Sequence, residues 1–190
     1  MHRGIGEAGM AYHIVAADTS PIIHLAMIDG LGLLEQMGVV MIPDMVVIES
    51  FAKDGPETAH IRHWLDAGVK SGRIAIPETE IGKAYRLALK ADPAFRMRNA
   101  GEQAILGWIM DYVDRTSQRL LVIYENGKVP RMLSQWDIDA DIDVMTTRSF
   151  LHACQQKRLL ADAEVSWGLL AQARPSANPA MHYHSIRRHP

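Results

Sequence analysis

Short apolar runs alternate with amphipathic segments along most of this 190-residue chain, and this alternation constrains the fold more than any other feature. Predicted helices lie between the apolar runs, for example over residues 56–70, 99–112 and 147–157. Helical spacing of apolar residues or capping residues indicate them. Strands that alternate with helices predict an α/β fold with a mainly parallel sheet of four to five strands. The strands are predicted at residues 13–17, 39–42, 73–76, 120–123 and 142–145.

Length and composition predict one domain with two appendages. A chain of 190 residues with 48% hydrophobic residues can bury one core but hardly two. We expect a loose leader over residues 1–12, the domain over 13–160, and a C-terminal helix with a flexible tail over 161–190. No apolar run approaches the ~20 residues that span a bilayer, and the single cysteine, Cys154, cannot form an internal disulfide. These features predict a cytoplasmic protein with no membrane partner.

Four acidic residues lie after predicted strands or on the predicted helices at one edge of the predicted sheet. Asp18 comes directly after the first strand, Glu49 lies on the helix after the second, Glu102 lies near a helix start, and Glu125 follows residues 120–123. We expect the four carboxylates to lie close together because strand ends and helix N-termini converge at the carboxyl edge of a parallel sheet.

Carboxylates held this close raise one another's pKa unless a cation lies among them. Mg²⁺ and Mn²⁺ prefer oxygen ligands, and either ion can activate water and neutralise charge on a phosphate oxygen. We therefore predict a Mg²⁺ or Mn²⁺ site that hydrolyses phosphodiester bonds. Its predicted metal ligands are Asp18, Glu102 and Glu125, and Glu49 is the fourth predicted catalytic acid.

Hydroxyl and cationic side chains are candidates for contacts around this site. The hydroxyls of Thr19, Ser20 and Thr147 could orient groups near the metal, although capping of the helix that Pro21 begins is sufficient to explain Ser20. His24 lies among apolar residues, where a packed histidine is expected. A solvated charged face is the competing interpretation of the cations that could hold phosphates: Arg96, Arg98, Lys128, Arg131 and Arg148.

The order of these residues resembles the PIN-domain family, which includes the VapC-like toxin ribonucleases of toxin–antitoxin pairs. Residues 15–25, Val-Ala-Ala-Asp-Thr-Ser-Pro-Ile-Ile-His-Leu, look like the opening of such a domain. Similar elements recur at residues 40–49, 101–105 and 121–125. The resemblance covers roughly residues 15–160.

The resemblance implies a three-layer α/β/α fold and a metal-dependent endoribonuclease acting on an RNA substrate. A toxin of this kind would also have an antitoxin partner that plugs the site, and members of the family often form homodimers.

Three departures from the family pattern keep a second function open. One is that Ala104 or a neighbour stands where some relatives have a second Glu. Tyr124 and Glu125 stand where relatives often have two Asp residues, and residues 144–147, Val-Met-Thr-Thr, replace a turn resembling Thr-Gly-Thr. The alternative is a catalytically attenuated PIN-like module that binds RNA or a protein partner. A phosphatase of the haloacid-dehalogenase type would need a second Asp two residues after Asp18, where Ser20 stands.

Overall fold

The structure, a computed structural model, describes residues 12–52, 55–116, 118–125, 127–133, 135 and 140–187, with the side chain of Lys128 also outside this set. Most of the predicted leader therefore lies outside the described residues. Tyr12, its last residue, is buried in the core, and its N–H donates to the Met37 carbonyl. None of the helices in these ranges is long and apolar enough to cross a membrane.

Six strands of the described chain form one sheet. Their order is β3-β2-β1-β4-β5-β6, with β1 to β5 parallel and β6 antiparallel to β5. The prediction of a mainly parallel sheet is confirmed, but the predicted number of four to five strands is wrong. The strands are β1 (Ile14–Ala17), β2 (Val39–Met41), β3 (Ile74–Ala75), β4 (Leu120–Tyr124), β5 (Ile142–Thr146) and β6 (Tyr183–Ile186).

Helices pack on both faces of this sheet, where two separate apolar clusters are buried. Neither α2 nor α7 is predicted from the sequence, because each is too short to show a helical period. The helices are α1 (Thr19–Met27), α2 (Gly32–Met37), α3 (Asp44–Ser50), α4 (Pro56–Ser71), α5 (Glu80–Ala91), α6 (Ala100–Val113), α7 (Lys128–Leu133), α8 (Thr147–Gln156) and α9 (Ala163–Ala173).

The direction of winding reverses between β1 and β4, which lie side by side at the centre of the sheet. The chain moves outward from β1 through β2 to β3, then returns to pair β4 with the other side of β1. In open α/β sheets, ligands bind at such a switch point, beyond the carboxyl ends of the strands. The residues that follow β1 and β4 are Asp18 and Glu125.

The segment predicted to be a flexible tail supplies β6. Asp143 on β5 is fully buried and accepts hydrogen bonds from Tyr183 and Ser185 of β6. Its carboxylate also pairs with Arg119 at 2.5 Å and Arg187 at 2.7 Å. The composition of the tail does not indicate this strand, because the strand is held by the buried Asp143, about forty residues earlier in the sequence.

Asp143→Asn should lower the free energy of unfolding at pH 7 by about 2 kcal/mol. Burial raises the pKa of Asp143, but the hydrogen bonds from Ser185, Tyr183, Arg187 and Arg119 outweigh it and lower the pKa from 3.8 to about 2. The charged form is therefore stabilised by folding. This contribution is present above pH ~4 and is lost as the pH falls towards 2.

Urea denaturation at several pH values measures this difference. The exposed Asp66 on α4 provides a control, since Asp66→Asn removes the same charge from the surface. An Asp143→Asn protein whose stability stays within about 0.5 kcal/mol of the unsubstituted protein at pH 7 would contradict the assignment.

Candidate active site

Asp18 lies at the junction of β1 and α1. The ladder between β1 and β4 continues one residue further, because the Asp18 N–H donates to the Ile123 carbonyl at 3.0 Å. Asp18 is the N-cap residue of α1, but its carboxylate makes no N-capping hydrogen bond. Pro21 lies in the first helical turn and has no N–H to offer a cap. The carboxylate is therefore not used to cap its own helix.

The prediction that Ser20 caps this helix is wrong. The helix begins at Thr19, so Ser20 is half-buried inside the first turn rather than before it. Pro21 is tolerated at that depth because the N–H groups of a first turn have no intrahelical partner to lose.

The Asp18 carboxyl is almost completely buried, and its pKa is raised from 3.8 to about 6. Burial is the largest cause of the raised pKa, and a hydrogen bond from the Thr19 backbone lowers the pKa. The charges of Glu102, Glu49 and Glu125 each raise the pKa further. All three other acids singled out in the sequence thus act on Asp18 as neighbouring charges.

Glu49 on α3 connects three helices at this edge. Its Oε2 accepts a hydrogen bond from Thr19 Oγ1 at 3.1 Å, and its Oε1 accepts one from the Gly101 N–H at 2.8 Å. A side chain at position 101 would collide with the Glu49 carboxylate, so glycine permits this close approach. The contact fixes the start of α6, and Glu102 is the next residue in that helix. Thr19 therefore contacts Glu49, one of the four acids, and its role near a metal stays a prediction.

Glu125 is held at the carboxyl end of β4 by neighbours on both sides. Tyr124 pairs with Thr146 in the β4–β5 register, so the following residue, Glu125, meets the start of α8. There the Thr147 N–H donates to Glu125 Oε1 at 3.3 Å. Asn178 Nδ2 donates to the Glu125 backbone carbonyl at 3.1 Å.

His24 lies beside this carboxylate, a contact that the sequence did not reveal. Its Nδ1 is 3.4 Å from Glu125 Oε1, and both side chains are largely buried. A histidine surrounded by Ile23 and Leu25 is expected to be a core residue, and the partner that changes this interpretation lies far away in the sequence. The same holds for Asn178, which the sequence places in the predicted tail.

The four acids have the chemistry that divalent cations prefer, but the described residues do not have the spacing of a metal centre. Within the described ranges, no three His, Cys, Asp or Glu side chains are gathered closely enough to form a metal centre. The acids nevertheless supply oxygen donors only. Burial is the main cause of the raised pKa of Asp18, and a cation would offset the smaller part that comes from the neighbouring acids. Glu125 Oε2 is also buried without a hydrogen-bond partner among the described residues.

The predicted phosphate-binding cations lie in different places and have different partners. Arg148 pairs with Glu164 at 2.8 Å and donates to the Pro179 carbonyl, so its guanidinium is engaged by the C-terminal segment. Arg96 donates to backbone carbonyls of its own loop. The side chain of Lys128 lies outside the described residues.

A cleft of about 480 Å³ lies next to Glu125. Arg131 of α7 and the exposed His182 and His184 contribute to its walls, together with Tyr124 and Asn178. Of the predicted cations, Arg131 therefore shares a cavity with one of the four acids.

Comparison of the chain with protein-family models, with curated proteins and with solved structures gave no match in any of the three.

Asp18→Asn should raise the free energy of unfolding at pH 8 by about 2–3 kcal/mol when divalent cations are chelated. The folded protein holds the Asp18 proton up to about pH 6, whereas the unfolded chain releases it near 3.8. Stability therefore falls as the pH rises from about 4 through 6, and the neutral amide avoids that loss. The advantage of Asp18→Asn should shrink as the pH is lowered towards 4.

Urea denaturation in EDTA at pH 8, 6 and 4.5 tests this, with Asp66→Asn as the control that removes an exposed carboxylate. A lower stability of Asp18→Asn than of the unsubstituted protein at pH 8 would contradict a raised pKa of Asp18.

Proposed function

We propose that this chain is a metal-dependent endoribonuclease with a PIN-like, three-layer α/β/α fold. Asp18, Glu102 and Glu125 would hold Mg²⁺ or Mn²⁺, and Glu49 would be the fourth acid of the site. The substrate class is RNA. The antitoxin partner, the dimer and the cytoplasmic location expected from the family resemblance stay predictions.

The burial of the Asp18 carboxyl at the carboxyl end of β1 is the observation that carries this proposal. A buried carboxylate that feels three other acids is costly for a fold to maintain, and surface solubility does not require it. This carboxylate lies at the topological switch point of the sheet, where α/β proteins bind ligands. A site that binds a divalent cation and a phosphodiester accounts for both the charge and its location.

The side chains have distinct roles in this proposal. A bound Mg²⁺ or Mn²⁺ supplies Lewis acidity and neutralises charge that develops on the phosphate. Glu49 holds the start of α6 through the Gly101 N–H and the start of α1 through Thr19, and thereby positions Glu102 relative to Asp18. Glu125 would hold the cation from the β4 side. The neighbouring cleft would bind the RNA strand beside the scissile phosphate through Arg131.

A second candidate is an attenuated PIN-like module that binds RNA without efficient cleavage. Two observations favour it: Tyr124 occupies a position where the resemblance leads us to expect an acid, and no metal-ligand spacing is present among the described residues. Burial raises the pKa of Tyr124, which keeps its hydroxyl neutral and a poor metal ligand. Retained RNA affinity with no measurable Mn²⁺ binding would favour this candidate over the nuclease.

Asp18→Asn should lower the rate of Mg²⁺- or Mn²⁺-dependent RNA cleavage by at least about a hundredfold, since the loss of a metal ligand removes several kcal/mol of charge stabilisation. The measurement is single-turnover cleavage of a labelled RNA pool, with and without EDTA. Asp66→Asn, which changes an exposed acid on α4, should cleave at the unsubstituted rate.

Contaminating nucleases are the main alternative source of such activity. Cleavage that Asp18→Asn leaves unchanged, or that EDTA does not abolish, would overturn the proposed function.

A further inference from the structure

Two exposed histidines at the start of β6 line the cleft of about 480 Å³. His184 lies on β6 and His182 directly precedes the strand. The neighbouring side chains of Tyr183 and Ser185 donate instead to the buried Asp143 of β5. Because successive side chains of a strand point to opposite faces, the hydrogen bonds that anchor β6 also fix the direction of the two histidines.

Hydrogen bonds to Thr146, at the end of β5, hold the backbone at the start of β6. The Thr146 N–H donates to the His182 carbonyl at 3.1 Å, and the His182 N–H donates to Thr146 Oγ1 at 3.3 Å. Thr146 Oγ1 also donates to the Ala180 carbonyl at 2.9 Å. This wall of the cleft is therefore built into the sheet, so a ligand that binds there needs little further ordering of the chain.

The other parts of the cleft bring an aromatic ring and a cation close to the two imidazoles. His184 pairs with Val144 in the β5–β6 register, and Val144 shares a buried apolar cluster with Tyr124. Tyr124 lies on the same face of the sheet and lines the cleft. Arg131 of α7 lines it as well. The lining thus combines flat rings with a guanidinium group.

This combination matches the chemistry of single-stranded nucleic acid. Unstacked bases bind to the faces of aromatic side chains, including histidine, and guanidinium groups bind phosphates. A cleft of 480 Å³ also lies within the range of roughly 300–1,000 Å³ that is usual for small-ligand sites. Because Glu125 contributes to the lining, a ligand with negative charge alone fits less well than a nucleotide, which also has a flat base.

We infer that His182 and His184 bind single-stranded RNA by stacking against its bases, with Arg131 holding a phosphate in the same cleft. The C-terminal segment is then a wall of the substrate-binding cleft. The inference rests on the proposed function for its substrate class, because RNA is the substrate proposed there. It does not require a bound cation, since stacking and phosphate contacts come from the protein alone.

The test measures RNA affinity in EDTA, so that neither a cation nor cleavage contributes. The probe is a fluorescein-labelled single-stranded RNA of mixed sequence, and fluorescence anisotropy gives its dissociation constant. The double variant His182→Ala/His184→Ala should bind at least about tenfold more weakly, because loss of base stacking on a single ring is already a substantial loss of affinity. Urea denaturation shows whether the variant folds like the unsubstituted protein.

Two further double variants separate stacking from other effects. His182→Phe/His184→Phe keeps a flat ring at both positions and should bind RNA within about threefold of the unsubstituted protein. His60→Ala/His63→Ala makes the matched change at two exposed histidines of α4 and should leave RNA affinity unchanged. Unchanged RNA affinity of a folded His182→Ala/His184→Ala protein would overturn the inference. Equal weakening by the phenylalanine and alanine replacements would overturn the stacking role.

Failure of this inference can be separated from failure of the proposed function. If His182→Ala/His184→Ala binds RNA normally while Asp18→Asn loses metal-dependent cleavage, the role of β6 alone is rejected. If the histidines are needed for RNA binding but cleavage survives Asp18→Asn, the nuclease proposal is rejected and the RNA-binding wall is supported. An unsubstituted protein that does not bind the RNA probe in EDTA overturns the role of β6.

Discussion

The burial of negative charge at the end of β1 is the constraint on which the site depends. Asp18 is placed there by the β1–β4 ladder, which continues into its N–H, and by the turn that starts α1. The three acids whose charges act on it lie in three other parts of the chain, yet all of them raise the pKa of the same buried carboxyl. A fold that only needed stability would gain from a neutral side chain at this point. The proposed function gives this charge a ligand, a divalent cation.

Two buried carboxylates of this sheet illustrate different solutions to burial. Asp143 is fully buried on β5, but hydrogen bonds from Ser185, Tyr183, Arg187 and Arg119 outweigh the effect of burial, so its pKa falls to about 2. Burial raises the pKa of Asp18 to about 6, and its neighbouring acids add to the rise. The first arrangement ties β6 to the sheet and needs nothing more. The second has no compensating cation among the charged groups that act on it, and the proposed function assigns it a metal ion.

The sequence predicts the elements that carry a strong local signal. Apolar β4 and the long α4 are confirmed, because burial on both faces and helical spacing are visible in single segments. β6 is missed because its order comes from Asp143, a distant partner. The position of Asp18 after a strand is visible in the sequence, since it follows from local order. The contact of His24 with Glu125 is not, because it depends on the packing of α1 against the end of β4.

The pKa of the Asp18 carboxyl, measured by carbon NMR with and without Mg²⁺, tests the central claim most directly. The account predicts a pKa near 6 in EDTA, where burial and the three other acids oppose ionisation, and a pKa below 4 when Mg²⁺ saturates the site. A pKa near the ordinary 3.8 in EDTA, or a raised pKa that Mg²⁺ leaves unchanged, would contradict it.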